Sequence, residues 1–329
     1  MMTRIYASIC VFAIVILLQS PAQGQGYVEI KDEDIYSSTA ASRIGLTGFA
    51  FLKISQGARS VGMGDAYTAI SNDINAAFKN PAGLTHMKRI EYVFSYNRWL
   101  VNSTVASSAV AANTPYGVVG VTFIGFYPEK SKETTILQPL GTGEMVNAGD
   151  VAIGFLYAKK MTDRLSFGVH GRWIQETLHD KKISSYDVSL GTLFYTGFGS
   201  SRLAMTLQNF GKDVTPEAVT FAMPMVFNIA AAMEVYGTIE DPTYLTAAVD
   251  FSYATDFGER LHFGGELWVA RVLALRAGYK TNYDIESYSL GAGVRVNYVG
   301  GRQVSVDFAY SAIEGGFDAP LRVSLSGSF

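Results

Sequence analysis

Cysteine is almost missing from this chain: Cys10 is the only one in 329 residues. It lies in the apolar run from Ile9 to Leu18, which follows Arg4 and precedes Gln19, Ser20, Pro21 and the small-residue triplet Ala22-Gln23-Gly24. A basic start, a short apolar centre and a small-residue exit describe a secretory signal peptide over residues 1–24, cut after Gly24. A retained anchor is the alternative, but the run falls short of the ~20 apolar residues that a spanning helix needs. With the signal removed the mature chain has no thiol, which excludes disulfides, thiolate metal sites and a cysteine nucleophile. Charge is scarce as well, at 17% of residues against about 25% in soluble domains. A net charge of −3 and a pI near 5.9 give no basis for nucleic acid as a partner. No later segment is long and apolar enough for a membrane helix.

What the chain does contain is aromatic residues and glycine: 20 Phe, 19 Tyr and 33 Gly. So many aromatics with so little charge would make a poorly soluble protein if every strand faced water. The composition makes sense if one face of a sheet meets lipid. From residue 90 the sequence breaks into alternating segments of roughly ten residues, the length of a tilted membrane strand. Leu245, Ala247, Val249, Phe251 and Tyr253 alternate with Thr246, Ala248, Asp250 and Ser252. Leu261, Phe263, Leu267 and Val269 alternate with His262, Glu266 and Trp268, and Val304 to Tyr310 repeat the pattern. Such segments fall at about 90–100, 103–113, 117–128, 150–161, 164–178, 184–197, 201–210, 224–237, 243–255, 259–270, 272–282, 287–299, 302–313 and 320–329. These make about fourteen strands, an even number as single-chain barrels require. Connections test the count independently: the second, fourth, sixth, tenth and twelfth are short, while the third (129–149) and seventh (211–223) are long and polar.

The last strand is the most telling. Leu321, Val323 and Leu325 alternate with Arg322, Ser324, Ser326 and Ser328, and the chain ends on Phe329. A terminal aromatic on a final strand resembles the closing strand of bacterial outer-membrane barrels. That likeness makes Val323, Leu325 and Phe329 an insertion signal, the bacterial outer membrane the location, and its lipid a partner. The expected fold class is therefore all-β, a transmembrane antiparallel β-barrel of about 14 strands over 90–329 with an N-terminal plug. A soluble sandwich or propeller is the alternative. It would show more exposed charge, need a second layer over its apolar faces, and in the propeller case a blade repeat that is not seen.

Residues 25–89 read as an N-terminal periplasmic or plug segment, weak material for a separate domain and good material for a plug packed inside the barrel. Glu29, Lys31, Asp32, Glu33 and Asp34 form a charged start. Then come Gly57-Ala58-Arg59, Gly62-Met63-Gly64, the stretch from Ala66 to Ala69, and Asn80-Pro81-Ala82-Gly83-Leu84. An aromatic strand with Trp99 follows. Glycine and proline at these places suit a compact segment of tight backbone turns. The block "FLKISQGARSVGMGDAYTAISNDINAAFKNPAGL" resembles the PorV/PorQ family of outer-membrane proteins, itself similar to the FadL hydrophobic-compound transporters. The resemblance implies a fourteen-stranded barrel with an amino-terminal hatch and a part in the type IX secretion system. There, cargo C-terminal signal domains and attachment-complex proteins would be partners. FadL-like passage of hydrophobic small molecules is the alternative role.

Chemistry of the catalytic kind is not evident, and no cofactor or metal is expected. His86, His170, His179 and His262 lack metal-ligand spacing. An outer-membrane phospholipase would need a Ser-His pair held by a third polar group; Ser166 and His170 share a face, but nothing nearby resembles such a family's motif. The polar face instead gathers charge: Glu234, Asp250, Glu266, Arg276, Arg295, Asp307 and Arg322. Two readings stand. Either these residues pair across strands and onto the plug, with Arg59 a partner for Asp250 or Glu266, or they are solvated lumen residues.

Overall fold

A computed structural model describes residues 47–216, 220–298 and 300–329. The expected signal peptide and the charged stretch 29–34 lie outside the described residues. Fourteen antiparallel strands follow one another around a single closed barrel. They are β1 (Ile90–Arg98), β2 (Thr104–Thr114), β3 (Gly117–Tyr127), β4 (Ala148–Lys160), β5 (Leu165–Leu178), β6 (Lys181–Tyr195) and β7 (Arg202–Gly211). The second half is β8 (Val226–Tyr236), β9 (Tyr244–Ala254), β10 (Phe257–Val269), β11 (Leu273–Lys280), β12 (Glu286–Asn297), β13 (Gln303–Ile313) and β14 (Leu321–Ser328). Closure is made by β1 against β14, in register from Glu91–Ser328 to Arg98–Leu321. A closed sheet leaves no edge with unpaired backbone groups, the condition for crossing hydrocarbon with strands.

Side-chain alternation is carried through the whole wall. On β9, Thr246, Asp250 and Ser252 are buried while Tyr253 is exposed. On β10, His262, Glu266 and Trp268 are buried while Leu261 and Val269 are exposed. Exposed aromatics collect at both rims. Tyr116, Phe198 and Phe329 stand at the short-turn end, and Tyr127, Tyr186 and Phe210 at the other. Two such girdles flanking an apolar band are the pattern of a barrel in a bilayer.

The two ends differ. One carries the turns 115–116, 161–164, 196–201, 237–243, 270–272 and 298–302; the other carries the long links 128–147 and 212–225 together with five shorter ones. The wall is also uneven. β5 and β6 have 14 and 15 residues against 8 each in β11 and β14. At about 3.3 Å per residue, one side rises as a lip at the long-loop end.

Residues 47–89 fill the interior. Thr47 forms a parallel bridge with Ala222 of the 212–225 loop, and its hydroxyl donates to Asp256 at 2.8 Å. The plug therefore enters at the long-loop mouth. It runs through a 3₁₀ turn Ala50–Lys53, helix α1 (Ala58–Gly62), helix α2 (Ala76–Lys79) and a 3₁₀ turn Pro81–His86. It leaves at the short-turn mouth into β1, where the Phe329 N–H donates to the Ile90 carbonyl at 3.0 Å. Small wall residues make room for the plug: Met63, Ala66, Tyr67 and Ile70 pack on Ala204, Ala230, Ala232 and Ala248.

Candidate functional site

The lumen is built in two parts. Its lower part is a seam between plug and wall, held by buried charge. Arg59 on α1 is 3% exposed and Glu266 on β10 is 1% exposed. The guanidinium donates twice to that carboxylate, Nε to Oε2 at 2.8 Å and Nη2 to Oε1 at 2.6 Å. A bidentate, charge-assisted pair of this kind is the strong form of a buried ion pair. Arg59 Nη1 also reaches Asp73 at 2.7 Å, and the Tyr67 hydroxyl donates to the same carboxylate at 2.6 Å. Burial alone would raise the Asp73 carboxyl, yet Arg59 and the Tyr67 hydroxyl hold it below the usual carboxylate range.

The network continues around the wall. Arg276 on β11 donates to Glu266 at 2.7 Å and to Asp307 on β13 at 2.7 Å. Those two residues lie on strands separated by β12, and Gly293 of β12 stands between them. A Cβ on Gly293 would come within 2.1 Å of the Asp307 carboxylate and 2.8 Å of the Arg276 guanidinium. Glycine there lets two side chains meet across an intervening strand.

Further contacts pin other plug residues. The Thr68 N–H donates to Asp250 at 2.9 Å, and the Ala58 N–H donates to Ser324 at 2.8 Å. Arg202 on β7 donates to the Ala69 carbonyl at 2.9 Å and to Glu234 at 3.0 Å. Asn80 donates to the carbonyls of Thr68 and Thr192, tying the plug to itself and to β6. Its own Oδ1 accepts from the Ala82 N–H and caps the 3₁₀ turn that Pro81 opens. Gly57 (φ 82°) precedes α1, Gly62 ends it against Gly291, and Gly83 sits over Ser71. Gly64 has φ 62°, and a Cβ there would lie 2.9 Å from the Tyr279 nitrogen. Facing it, a Cβ on Gly278 would lie 2.0 Å from the Gly64 nitrogen. The Gly-Met-Gly step is the place where plug backbone meets wall backbone.

The predicted lumen charges thus separate by partner. Glu266, Arg276, Asp307, Asp250 and Glu234 belong to the seam. Arg295 stands 4.1 Å over the Trp268 ring. Arg322 lies nearer the long-loop mouth, where its guanidinium is 5.0 Å from the Trp99 ring. Of the C-terminal residues, Val323 is half-buried, Leu325 and Phe329 are exposed, and Phe329 packs on Tyr92 at 5.3 Å between ring centroids.

Sequence reasoning missed several charged contacts, among them Arg59 with Asp73 and the following. Arg172 pairs with Asp187 at 2.5 Å and with Asn209. Lys280 pairs with Asp65 of the plug at 2.6 Å and with Glu286 at 2.5 Å. Arg202 holds Glu234. A signal existed for one of them, since Arg172 and Asp187 are reflected about the two-residue turn at 179–180 and face each other in the ladder. Ser166 and His170 do not engage each other: Ser166 meets Thr85 at 2.8 Å and His170 meets Thr122 at 2.7 Å. Among the described residues no cluster of His, Cys, Asp and Glu could hold a metal ion.

The upper part of the lumen is a cavity of about 400 Å³ at the long-loop end. Leu52, Ile54, Phe78, Trp99 and Ile124 give it apolar wall; Lys53, Lys79, Arg172, Arg260, Lys280 and Arg322 give it basic charge, and Asp65, Asp256, Asp284 and Glu286 give it acidic charge.

Residues 28–170 match the model of an uncharacterised protein family, UPF0164. No curated protein matches the chain. Among solved structures, the chain is similar to CymD, a monoaromatic hydrocarbon channel, with TM-score 0.55 and 12% identity over 87% of this chain and 99% of that one. It is also similar to the toluene transporter TodX of Pseudomonas putida, with TM-score 0.57 and 11% identity over 87% of this chain and 99% of TodX. A TodX mutant, deltaS2, gives TM-score 0.58 and 11% identity over 83% and 98% of the two chains. At such identities the likeness is one of fold, a fourteen-stranded FadL/TodX-like barrel. The neighbours are channels rather than enzymes.

Proposed function

We propose that the protein is an outer-membrane barrel of the PorV/PorQ kind, acting at the bacterial cell surface in type IX protein secretion or in attachment of exported cargo. The observation that carries this reading is the filled lumen. Arg59, Glu266, Arg276 and Asp307 form one buried chain of ion pairs between plug and wall, so large solutes have no through path. Useful surface then lies at the long-loop mouth. The 128–147 loop carries Ile136, Leu137 and Leu140 fully or nearly fully exposed, an apolar tip of the sort that marks interaction sites. Cargo C-terminal signal domains and attachment-complex proteins would meet that loop and the 212–225 loop through apolar contact and hydrogen bonding.

The test is a pull-down from envelope extracts with the loop 128–147 intact and deleted, paired with a gene deletion. Recovery of signal-domain cargo by the intact protein alone, and cargo lost from the surface in the deletion strain, are expected. A deletion strain that displays all its surface proteins normally removes the export reading.

The second reading is FadL-like passage of hydrophobic small molecules. It is supported by the fold likeness to hydrocarbon channels and by the cavity at the outer mouth. Lipid or detergent retained in the purified lumen, with uptake lost on deletion, would favour it.

A further inference from the structure

The corner of the short-turn rim where the barrel closes carries cations that the chain does not balance. Gln303–Ser328 and Glu91–Ser328 are the end pairs of the β13–β14 and β1–β14 ladders. One residue further on, Arg302, Phe329 and Ile90 stand side by side on three neighbouring strands. Strands lie about 4.8 Å apart, so Arg302 and the start of β1 flank Phe329 across about 10 Å. Lys88 and Arg89 lead into β1, and both are exposed, as is Arg302. Arg89 Nη1 donates to the Gly300 carbonyl at 3.0 Å, which draws that guanidinium across the end of β14 toward the β12–β13 turn.

None of the three has a carboxylate within ion-pair distance among the described residues. Glu91, the nearest acid along β1, lines a lumenal void with Arg295 and Gln303 instead. Set one of the three charges against a carboxylate on Phe329, and two remain. Elsewhere on this rim cations stand among acids: Arg164 beside Asp163, and Arg271 against the turn that holds Glu240 and Asp241. At the long-loop end of the closing wall the sign reverses. There Arg98 faces Asp318 at 3.8 Å, and Asp284 and Glu314 are exposed.

We propose that this corner binds an anionic phospholipid of the inner leaflet, its phosphodiester held between Arg302 and the Lys88–Arg89 pair. A guanidinium matches two phosphate oxygens with parallel donors, and the lysine adds a point charge. Next to the cations the outward face is apolar. Phe329 packs on Tyr92 at 5.3 Å between ring centroids, and Phe94, Phe308 and Leu325 are exposed beyond it. Acyl chains lie along that face while the headgroup stays at the rim, the depth that aromatic girdles mark. A zwitterionic headgroup brings its own ammonium, which competes with the protein for the phosphate, so a net anionic lipid is selected. The site depends on the wall spanning a bilayer and is independent of the secretion role.

Native mass spectrometry of the purified full chain tests it. The protein is released from non-ionic detergent in the presence of equal amounts of phosphatidylglycerol and phosphatidylcholine with matched acyl chains, after heat-modifiable migration has shown a folded barrel. Phosphatidylglycerol is expected to be retained at least about fivefold over phosphatidylcholine, the worth of one uncompensated basic residue at a membrane surface. The excess should shrink as salt is raised. The triple variant Lys88→Gln, Arg89→Gln, Arg302→Gln should retain the two lipids equally, whereas Lys130→Gln with Lys212→Gln at the other end should keep the preference. The two-lipid comparison on the unaltered protein needs no variant, so a misfolded triple variant leaves it standing. Equal retention by the folded, unaltered barrel overturns the proposal, and so does a preference that survives the triple substitution. Inorganic phosphate displacing phosphatidylglycerol at comparable concentration overturns the lipid as occupant. A chain that never gives a heat-modifiable barrel removes the bilayer reading itself, and the site with it.

Discussion

Glu266 holds two guanidiniums at once, Arg59 from the plug and Arg276 from the neighbouring strand. Removing one partner of a buried pair costs about 3–5 kcal/mol, because the charge left behind has no water to go to. Glu266→Ala removes the carboxylate both guanidiniums share, leaving Arg59 with Asp73 alone and Arg276 with Asp307 alone, and should lower the thermal transition of the detergent-solubilised barrel well below that of an exposed control such as Glu129→Ala. Gly293→Ala tests the other half of the chain. Its methyl would occupy the space where Arg276 meets Asp307, and the expected loss is about 1.5–3 kcal/mol, the worth of a hydrogen bond to a charged group. An unchanged transition would place those side chains elsewhere. Asp73 sets a pH expectation. Its carboxyl is held below its ordinary value of 3.8, so its contribution is full above that value and is lost only as pH falls beneath it. The Asp73 share of plug anchoring, read as the difference in protease protection between the unaltered protein and Asp73→Asn, should therefore be flat from pH 8 to 5 and fall only in strong acid. Weakening between pH 7 and 5 would mean that another group controls it.

At the scale of elements, the strands were legible and so was one plug contact, Arg59 with Glu266; the other plug contacts were not. Lipid on one side and a packed lumen on the other impose period two, and that period is written in residues such as Leu261, His262, Phe263 and Glu266. The long link at 128–147 and short ones such as 115–116 added direction. Pairing is a different matter. Every lumenal position reads simply as polar, and which charges meet depends on register. Glu266 and Arg276 could have been matched by reflection about the turn at 270–272, where the ladder sets them opposite each other. Arg276 with Asp307 could not, because that contact crosses β12 through the space Gly293 leaves. Nor could Asn80 with Thr192, which depends on how deep the plug sits. The seating of the plug is open to chemical test because no described residue is a cysteine. The Ala58 nitrogen and Ser324 oxygen are 2.8 Å apart, so Ala58→Cys combined with Ser324→Cys should cross-link under mild oxidant and change gel mobility. Failure of the folded pair to cross-link would displace α1 from β14.

For the whole molecule, closure depends on the final strand. Phe329 packs on Tyr92 and its N–H reaches the Ile90 carbonyl where the plug becomes β1. Deleting Phe329 should therefore reduce the heat-modifiable, folded fraction recovered from membranes without changing expression. A closed wall with an apolar outer face describes a barrel that spans a bilayer, and the seam of ion pairs inside predicts that it does not conduct. Planar-bilayer recording of the purified, unaltered protein tests this most directly. The pinned plug predicts inserted protein with no steady ohmic steps, and long-lived porin-like openings at low voltage would contradict it.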